Sequence, residues 1–328
     1  MEGIRYSLVV PLYNEEAVIE ACHKRLLSVM ESLHEPWEII YVNDGSRDRT
    51  GLLVRDLCRT DSRIKLITFS RNFGHQAAIT AGMDHAAGDA VIIIDADLQD
   101  PPELILEMAE RWKEGYDVVY GHRVARLGES AGKKLSARLY YRFLRRLTDV
   151  DIPVDVGDFR LIDAKVCQAL SCMPEHNRYV RGLISWLGFR QTSVDYVRAP
   201  RYAGETKYPF RKMIKLAVDG ITSFSYKPLK TGIGLGMALS ICSFCFLLFV
   251  FIARLFDLVV MEPGYASLMC VILFFFGIML IMLGIIGEYI GRIFEEVKRR
   301  PLYVICDREG TFYKQSARGD GSNQGSTK

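Results

Sequence analysis

The sequence predicts an α/β protein: a mostly parallel sheet with helices on both faces, followed by two transmembrane helices. Three observations carry this. Short apolar runs alternate with helix-length segments through residue 120, the pattern of strand–helix units. The composition then changes near residue 230, where two long apolar runs begin. Finally, polar and charged residues collect just after each of the early apolar runs, where α/β sheets bind ligands.

The strand-like runs are 6–10 (YSLVV), 38–42 (EIIYV), 64–69 (IKLITF), 90–94 (AVIII) and 117–120 (DVVY). Helix-like segments lie between them at Glu15–Leu33, Asp48–Arg59, His75–Ala87 and Pro102–Glu114. The opening MEGIRYSLVVPLYNEE has only a short apolar run before it turns acidic, so it reads as a first strand and not as a signal peptide. We therefore expect a cytoplasmic N-terminal domain over 1–208. Residues 209–230 mix basic and apolar residues at roughly helical spacing, which predicts amphipathic helices at a membrane surface.

The run 231–256 is broken only by Arg254, and a second run covers 265–286. Each exceeds the ~20 residues that a bilayer-crossing helix needs. We expect spans at 231–256 and 265–291, joined by a short extracytoplasmic loop at 257–264. That loop has two acids and no Lys or Arg, while the outer flanks are basic, so the positive-inside rule places both termini in the cytoplasm. Within the second span Glu288 needs a partner, and Arg292 stands four residues on. Gly284, Gly287 and Gly291 would permit close helix packing. Residues 292–328 form a cytoplasmic C-terminal segment, in which RPLYVICDREG could pair back as a strand and the Gly/Ser-rich end is expected to be disordered.

A net charge of +3 gives no case for a nucleic-acid partner. The eight cysteines show neither a disulfide framework nor paired zinc spacing; Cys242 and Cys245 lie inside an apolar run. The usage suits a reducing compartment.

Five segments deliver polar groups to one sheet edge: PLYNEE with Asn14 and Glu15, NDGSRD with Asp44, SRNFGHQ with Arg71, Asn72 and His75, DADLQD, and GHRVAR with His122, Arg123 and Arg126. In DADLQD an apolar strand runs into Asp95, Asp97 and Asp100. If strand geometry persists there, Asp95 and Asp97 share a face about 7 Å apart. Paired carboxylates without nearby His or Cys ligands suit Mg²⁺ or Mn²⁺, with a substrate diphosphate completing the coordination. No GxGxxG follows the first strand and no GxxxxGK[ST] occurs, so neither a dinucleotide fold nor an ATPase loop is indicated.

The motifs VVPLYNEE, NDGSRDRT, RNFGHQAAITAG, DADLQDPPE, DVGDFRLID and GETKYPF, in this order and before two apolar spans, resemble the family 2 polyprenyl-phosphate glycosyltransferases of GT-A fold. Dolichyl-phosphate mannose synthases and bacterial undecaprenyl-phosphate glucose and aminoarabinose transferases are of this kind. The resemblance covers about residues 5–305. It implies inverting transfer of a sugar from a nucleotide-diphosphate sugar, UDP-glucose foremost, to a polyprenyl phosphate such as undecaprenyl phosphate. UDP-N-acetylglucosamine, a UDP-aminoarabinose derivative and GDP-mannose are the alternative donors.

The resemblance also implies that Pro11, Tyr13 and Glu15 frame the nucleotide and that Asp44 accepts from the base. Asp95 would lie near the ribose or metal, and Asp97 with Gln99 would hold Mg²⁺ or Mn²⁺. Asn43 stands where many relatives have Asp. Asp158 of GDFR matches the catalytic carboxylate, as a base or as a group that orients the acceptor. Arg123, Arg126, Arg160, Arg201 and Lys207 are the candidates for the acceptor phosphate. A homotetramer is implied by resemblance alone. A processive synthase would carry QxxRW after the catalytic region, and AERW at 109–112 lacks the Gln. A catalytically inactive scaffold would show erosion of DxD or GDF, and both are intact.

Overall fold

The computed structural model describes residues 3–126, 156–173, 175, 176, 178–198 and 264–312, with 236–238, 241, 244, 245 and 252. Two compact units separate. Within the described residues, 3–126, 156–198 and 301–312 belong to the first, and 264–300 to the second.

The first unit is built on one sheet. Its early strands are β1 (Tyr6–Leu12), β2 (Trp37–Asn43), β3 (Ile64–Phe69) and β4 (Ala90–Ile93). Nearly every residue in them is buried, as expected of strands covered on both faces. Between them run α1 (Ile19–Glu31), α2 (Thr50–Thr60) and α3 (His75–His85), and α4 (Leu104–Lys113) follows β4. In α1 the buried residues Ile19, Cys22, Leu26, Val29 and Met30 recur at helical spacing. That apolar stripe seats the helix on the sheet, at roughly 1.5–3 kcal/mol for each fully buried large side chain. Helix α3 lies close to β1: a Cβ on Gly82 would come within 2.1 Å of Val9 Cγ1.

The chain continues through β5 (Val118–Arg126), β6 (Val156–Asp163), α5 (Ala164–Ser171), α6 (Val180–Leu187) and β7 (Gln191–Arg198). The strand order is β7-β5-β6-β4-β1-β2-β3-β8, where β8 is Ile305–Glu309. Strands β6 and β8 run antiparallel to their neighbours and the other pairings are parallel. The start of β6 therefore lies at the edge where β1 to β5 end. The expected C-terminal strand forms: β8 closes the outer edge of β3, and Arg55 of α2 holds it through Asp307 and Glu309.

Two sequence expectations change. The fifth strand does not stop at residue 120 but runs on through GHRVAR, because β6 and β7 pair with it on both sides. Arg123 and Arg126 are thus strand residues, not loop residues. Conversely β4 ends at Ile93, and the following segment turns, with Leu98 at φ 57°. Asp95 and Asp97 lie in this segment past the strand, so the strand spacing does not apply to them.

The second unit contains α7 (Tyr265–Val297), of 33 residues. Its stretch Phe274–Val297 has mean hydropathy 2.0, is long and apolar enough to cross a membrane, and has none of its apolar window buried. Among the described residues it is the one such helix. Arg292 pairs with Glu288 at 3.1 Å, the i,i+4 partner expected. The run expected as a first span, 231–256, lies almost wholly outside the described residues, as do the segment 209–230, Arg201 and Lys207.

Candidate active site

The carboxylates of the edge are each met by a specific partner. Asp100 is buried, and it accepts a hydrogen bond from the Tyr196 hydroxyl on β7. Arg123 reaches it from β5, its terminal nitrogen 3.4 Å from Asp100 Oδ2, while Arg123 Nε donates to the Tyr196 hydroxyl at 2.9 Å. Gly157 makes this possible: a Cβ there would sit 2.3 Å from Arg123 Nη2. The Gly of GDFR thus leaves room for a guanidinium crossing the start of β6.

Asp158 stands one residue on, with its side chain 11% exposed. Its Oδ1 lies 3.0 Å from Arg181 Nε, and its Oδ2 lies 3.2 Å from His75 Nε2. The Gln76 amide nitrogen is 3.5 Å from the same Oδ2. β4 pairs with β6 as far as Ile93 opposite Arg160, so Asp95, just past the end of β4, and Asp158, near the start of β6, lie at the same edge. His75 opens α3 and bridges the two, its Nε2 also 3.5 Å from Asp95 Oδ1.

These neighbours set the charge states. Burial would raise the Asp158 pKa, but Arg181 and His75 outweigh it and hold the group below the ordinary carboxylate range. Burial, with Asp158, Asp97 and Asp100 nearby, pushes Asp95 up to about 6 despite His75. For His75, burial acts downward, yet Asp95 and Asp158 raise it to about 9.

Other candidates fall into place differently. Asp44 uses both oxygens on the backbone of the next loop, accepting from Phe73 N at 2.6 Å and Gly74 N at 3.0 Å. Beside it, Asn43 accepts from Ser46 N at 3.0 Å, so its amide shapes the NDGS turn. Pro11 is buried in β1, opposite Val42, whereas Tyr13 at the strand end is 37% exposed. Glu15 is half-buried; its N–H donates to Thr50 Oγ1 at 2.9 Å. Asp97 accepts from Gln99 N at 3.1 Å. Along the turn Asp95, Asp97 and Gln99 stay partly open while Ala96, Leu98 and Asp100 are buried.

Arg160 departs from its expected place among the phosphate contacts. It is 4% exposed and donates to Gly157 O at 2.8 Å; burial lowers its pKa to about 10. It is an internal cation behind Asp158. Arg123 is likewise held by Asp100 and Tyr196. Arg126 ends β5, with its side chain outside the described residues. His122 leaves the edge and meets Asp195 at 2.8 Å. The sequence reading passed over Arg181 and Gln76 altogether. For Arg181 the signal was weak, since NRYVRG carries no acid cluster and follows no apolar strand, whereas Gln76 closes SRNFGHQ, a segment already expected at the edge.

Among the described residues no group of three His, Cys, Asp or Glu side chains converges as a metal site by itself. The edge nonetheless fits a cation that takes further ligands from a substrate. Asp95 and Asp97 open onto one turn; burial chiefly raises Asp95, and the like charges of Asp158, Asp97 and Asp100 that add to it are a field a divalent ion would relieve.

Residues 7–171 match the glycosyl transferase family 2 domain. The chain belongs to glycosyl transferase family 2. An uncharacterized glycosyltransferase of Bacillus subtilis, YkcC, is 55% identical over 95% of this chain and 96% of its own length. The bactoprenol glucosyl transferase of Shigella phage SfII is 40% identical over 92% of this chain and 97% of its own. Among solved structures, Mycobacterium tuberculosis glucosyl-3-phosphoglycerate synthase with Mn²⁺, UDP and glucosyl-3-phosphoglycerate matches at 18% identity and a TM-score of 0.46, over 67% of this chain and 78% of that one. This family 2 member is a glycosyltransferase with the GT-A α/β fold, its sheet mostly parallel.

Proposed function

We propose that this family 2 enzyme transfers glucose from UDP-glucose, with inversion, to undecaprenyl phosphate at the cytoplasmic face of a membrane. The observation that carries the reading is the meeting of Asp95 and Asp158 with His75 and Arg181 at one sheet edge, with the charge of Asp97 acting on Asp95. The likeness to bactoprenol glucosyl transferases along nearly the whole chain supports the choice of acceptor and sugar.

The chemistry follows from the groups. An acceptor phosphate oxygen attacks the anomeric carbon from the face opposite the leaving group. The new C–O bond forms as the bond to the diphosphate breaks, and the nucleoside diphosphate leaves with the electron pair. The acceptor phosphate is already largely ionised at neutral pH, so no proton has to be removed for attack. Two anions must instead be brought together, which requires fixed cations. His75 is such a cation at the edge, and Arg126, Arg201 and Lys207 are those proposed for the acceptor phosphate. Asp95, Asp97 and Gln99 would hold Mg²⁺ or Mn²⁺, which when bound supplies Lewis-acid stabilisation of the leaving diphosphate. Pro11, Tyr13, Glu15 and Asp44 line the nucleotide side, Asp44 by fixing the loop at Phe73 and Gly74.

Two spans, 231–256 and 265–291, and the basic segment 209–230 would keep the enzyme beside a lipid whose isoprenoid tail cannot leave the bilayer. Each Lys or Arg near an anionic surface adds about 1 kcal/mol. A homotetramer is part of this proposal.

A donor screen tests it. Full-length protein in detergent with undecaprenyl phosphate and Mg²⁺ is given labelled UDP-glucose, UDP-N-acetylglucosamine, a UDP-aminoarabinose derivative or GDP-mannose. Label is expected in the lipid phase with UDP-glucose, and is lost with EDTA and in Asp97→Ala. Transfer from another donor overturns the sugar. No transfer from any donor, with nucleotide binding retained, overturns the enzyme reading in favour of a binding protein.

A further inference from the structure

Resting on the proposed transfer reaction, we infer that Arg181 is a positioning residue that locks Asp158 as a fixed anion, so that Asp158 orients His75 and does not serve as the base. Three features of the geometry carry this. First, both Asp158 oxygens face positive or donor groups: Oδ1 lies 3.0 Å from Arg181 Nε as an ion pair, and Oδ2 lies 3.2 Å from His75 Nε2 with the Gln76 amide at 3.5 Å. A carboxylate with positive groups this close on both oxygens is favoured in its ionised form and fixed in place by them. Second, Arg181 is itself anchored. Its Nη1 donates to the carbonyl of Val156 at 2.7 Å, so one guanidinium spans the backbone at the start of β6 and the carboxylate two residues on. Its planar fork suits such a two-point grip, which a lysine ammonium cannot copy.

Third, Gln76 ties the same carboxylate to the start of α6. Its amide oxygen accepts from Val180 N at 3.0 Å, while its amide nitrogen faces Asp158. The starts of α3 and α6 thus close around Asp158, and the group presented outward is the His75 imidazole. His75 lies between Asp158 and Asp95, at the edge where the two phosphate-bearing substrates would meet. An already ionised acceptor needs no base, which leaves Asp158 free for this work.

The test is a double-mutant cycle on the full-length enzyme, read as kcat and KM for the donor. Arg181→Gln is expected to lower kcat by about 10- to 100-fold, the scale of a misplaced catalytic group, with donor KM within about 3-fold. Arg181→Lys keeps the charge without the two-point grip and should fall between. Asp158→Asn combined with Arg181→Gln should be no slower than Asp158→Asn alone, within about 3-fold, because the two act as one unit. If the two losses multiply, Arg181 acts independently of Asp158 and the inference is overturned. A wild-type kcat in Arg181→Gln overturns it as well. Should Arg181→Gln fail to fold, the same cycle is run with Arg181→Lys. A wild type inactive with every donor sinks the transfer reaction itself; an active wild type with multiplying losses sinks only the role of Arg181.

Discussion

Gly157→Ala should destabilise the catalytic unit although it adds a single methyl group. The φ of Gly157 lies outside the left-handed region, so alanine meets no backbone strain and by itself would gain about 0.4–1 kcal/mol from a stiffer unfolded chain. The opposing effect is larger. The new Cβ would stand 2.3 Å from Arg123 Nη2 and 3.0 Å from its Cζ, so the guanidinium must retreat by roughly 1 Å to reach ordinary contact. Its contacts with Asp100 already stand at 3.4 and 3.5 Å, and a further ångström breaks them. Asp100 is 1% exposed and would lose this cation while keeping the Tyr196 hydroxyl. Leaving a buried carboxylate without its cation costs about 2–4 kcal/mol, for a net loss of about 1–3 kcal/mol. In a domain of this size that lowers the melting temperature by roughly 3–10 °C. Thermal unfolding of the detergent-solubilised protein reads it, with Arg123→Gln as the second background, where the shorter side chain removes the collision. The reasoning fails if Gly157→Ala melts with the wild type, or if the penalty is the same on both backgrounds.

Asp44→Asn replaces two acceptor oxygens with one, so either Phe73 N or Gly74 N loses its partner; nucleotide affinity by calorimetry should fall by about 1–3 kcal/mol. Gly82→Ala drives a methyl into Val9 and should cost about 1–3 kcal/mol in chemical denaturation without altering donor KM. The raised His75 pKa gives a signed pH dependence. Stability owed to the protonated imidazole is present in full below its unfolded value of about 6.5 and is lost as pH rises through about 9. In metal-free buffer the melting temperature of the wild type should therefore fall relative to His75→Gln between those values; parallel curves would refute it.

The first four strands and helices were legible because they are covered on both faces, so apolar runs such as VVPL and AVIII stand out against polar loops. The location of the site was legible for the same reason, since Asp44, Asp95 and Asp97 follow those runs directly. What could not be read is whatever depends on the antiparallel β6. Its pairing beside β4 carries Asp158 to the shared edge, and no local pattern near residue 158 announces that direction. Arg181 and Gln76 acquire meaning only through that placement. The three aspartates of DADLQD also divide in a way their spacing hides. Asp100 turns inward to the protein's own Arg123, while Asp95 and Asp97 remain at the edge. Arg160 stood among the candidates for the acceptor phosphate because strand alternation alone does not reveal that a strand is covered on both sides, which buries it.

The strand that completes the sheet is encoded last. β3 meets its outer neighbour only when residues 305–309 have been made, after the 33 residues of α7. During synthesis the catalytic unit therefore waits with an open edge, and its final pairing joins segments more than 230 positions apart, as in Leu66 with Glu309. Such long-range closure is slow, and an unpaired edge is the part of a nascent sheet most exposed to mispairing. Maturation of the catalytic unit is thereby timed to follow the emergence of its apolar helix, so a chain that stalls before that helix leaves the ribosome with its sheet unfinished.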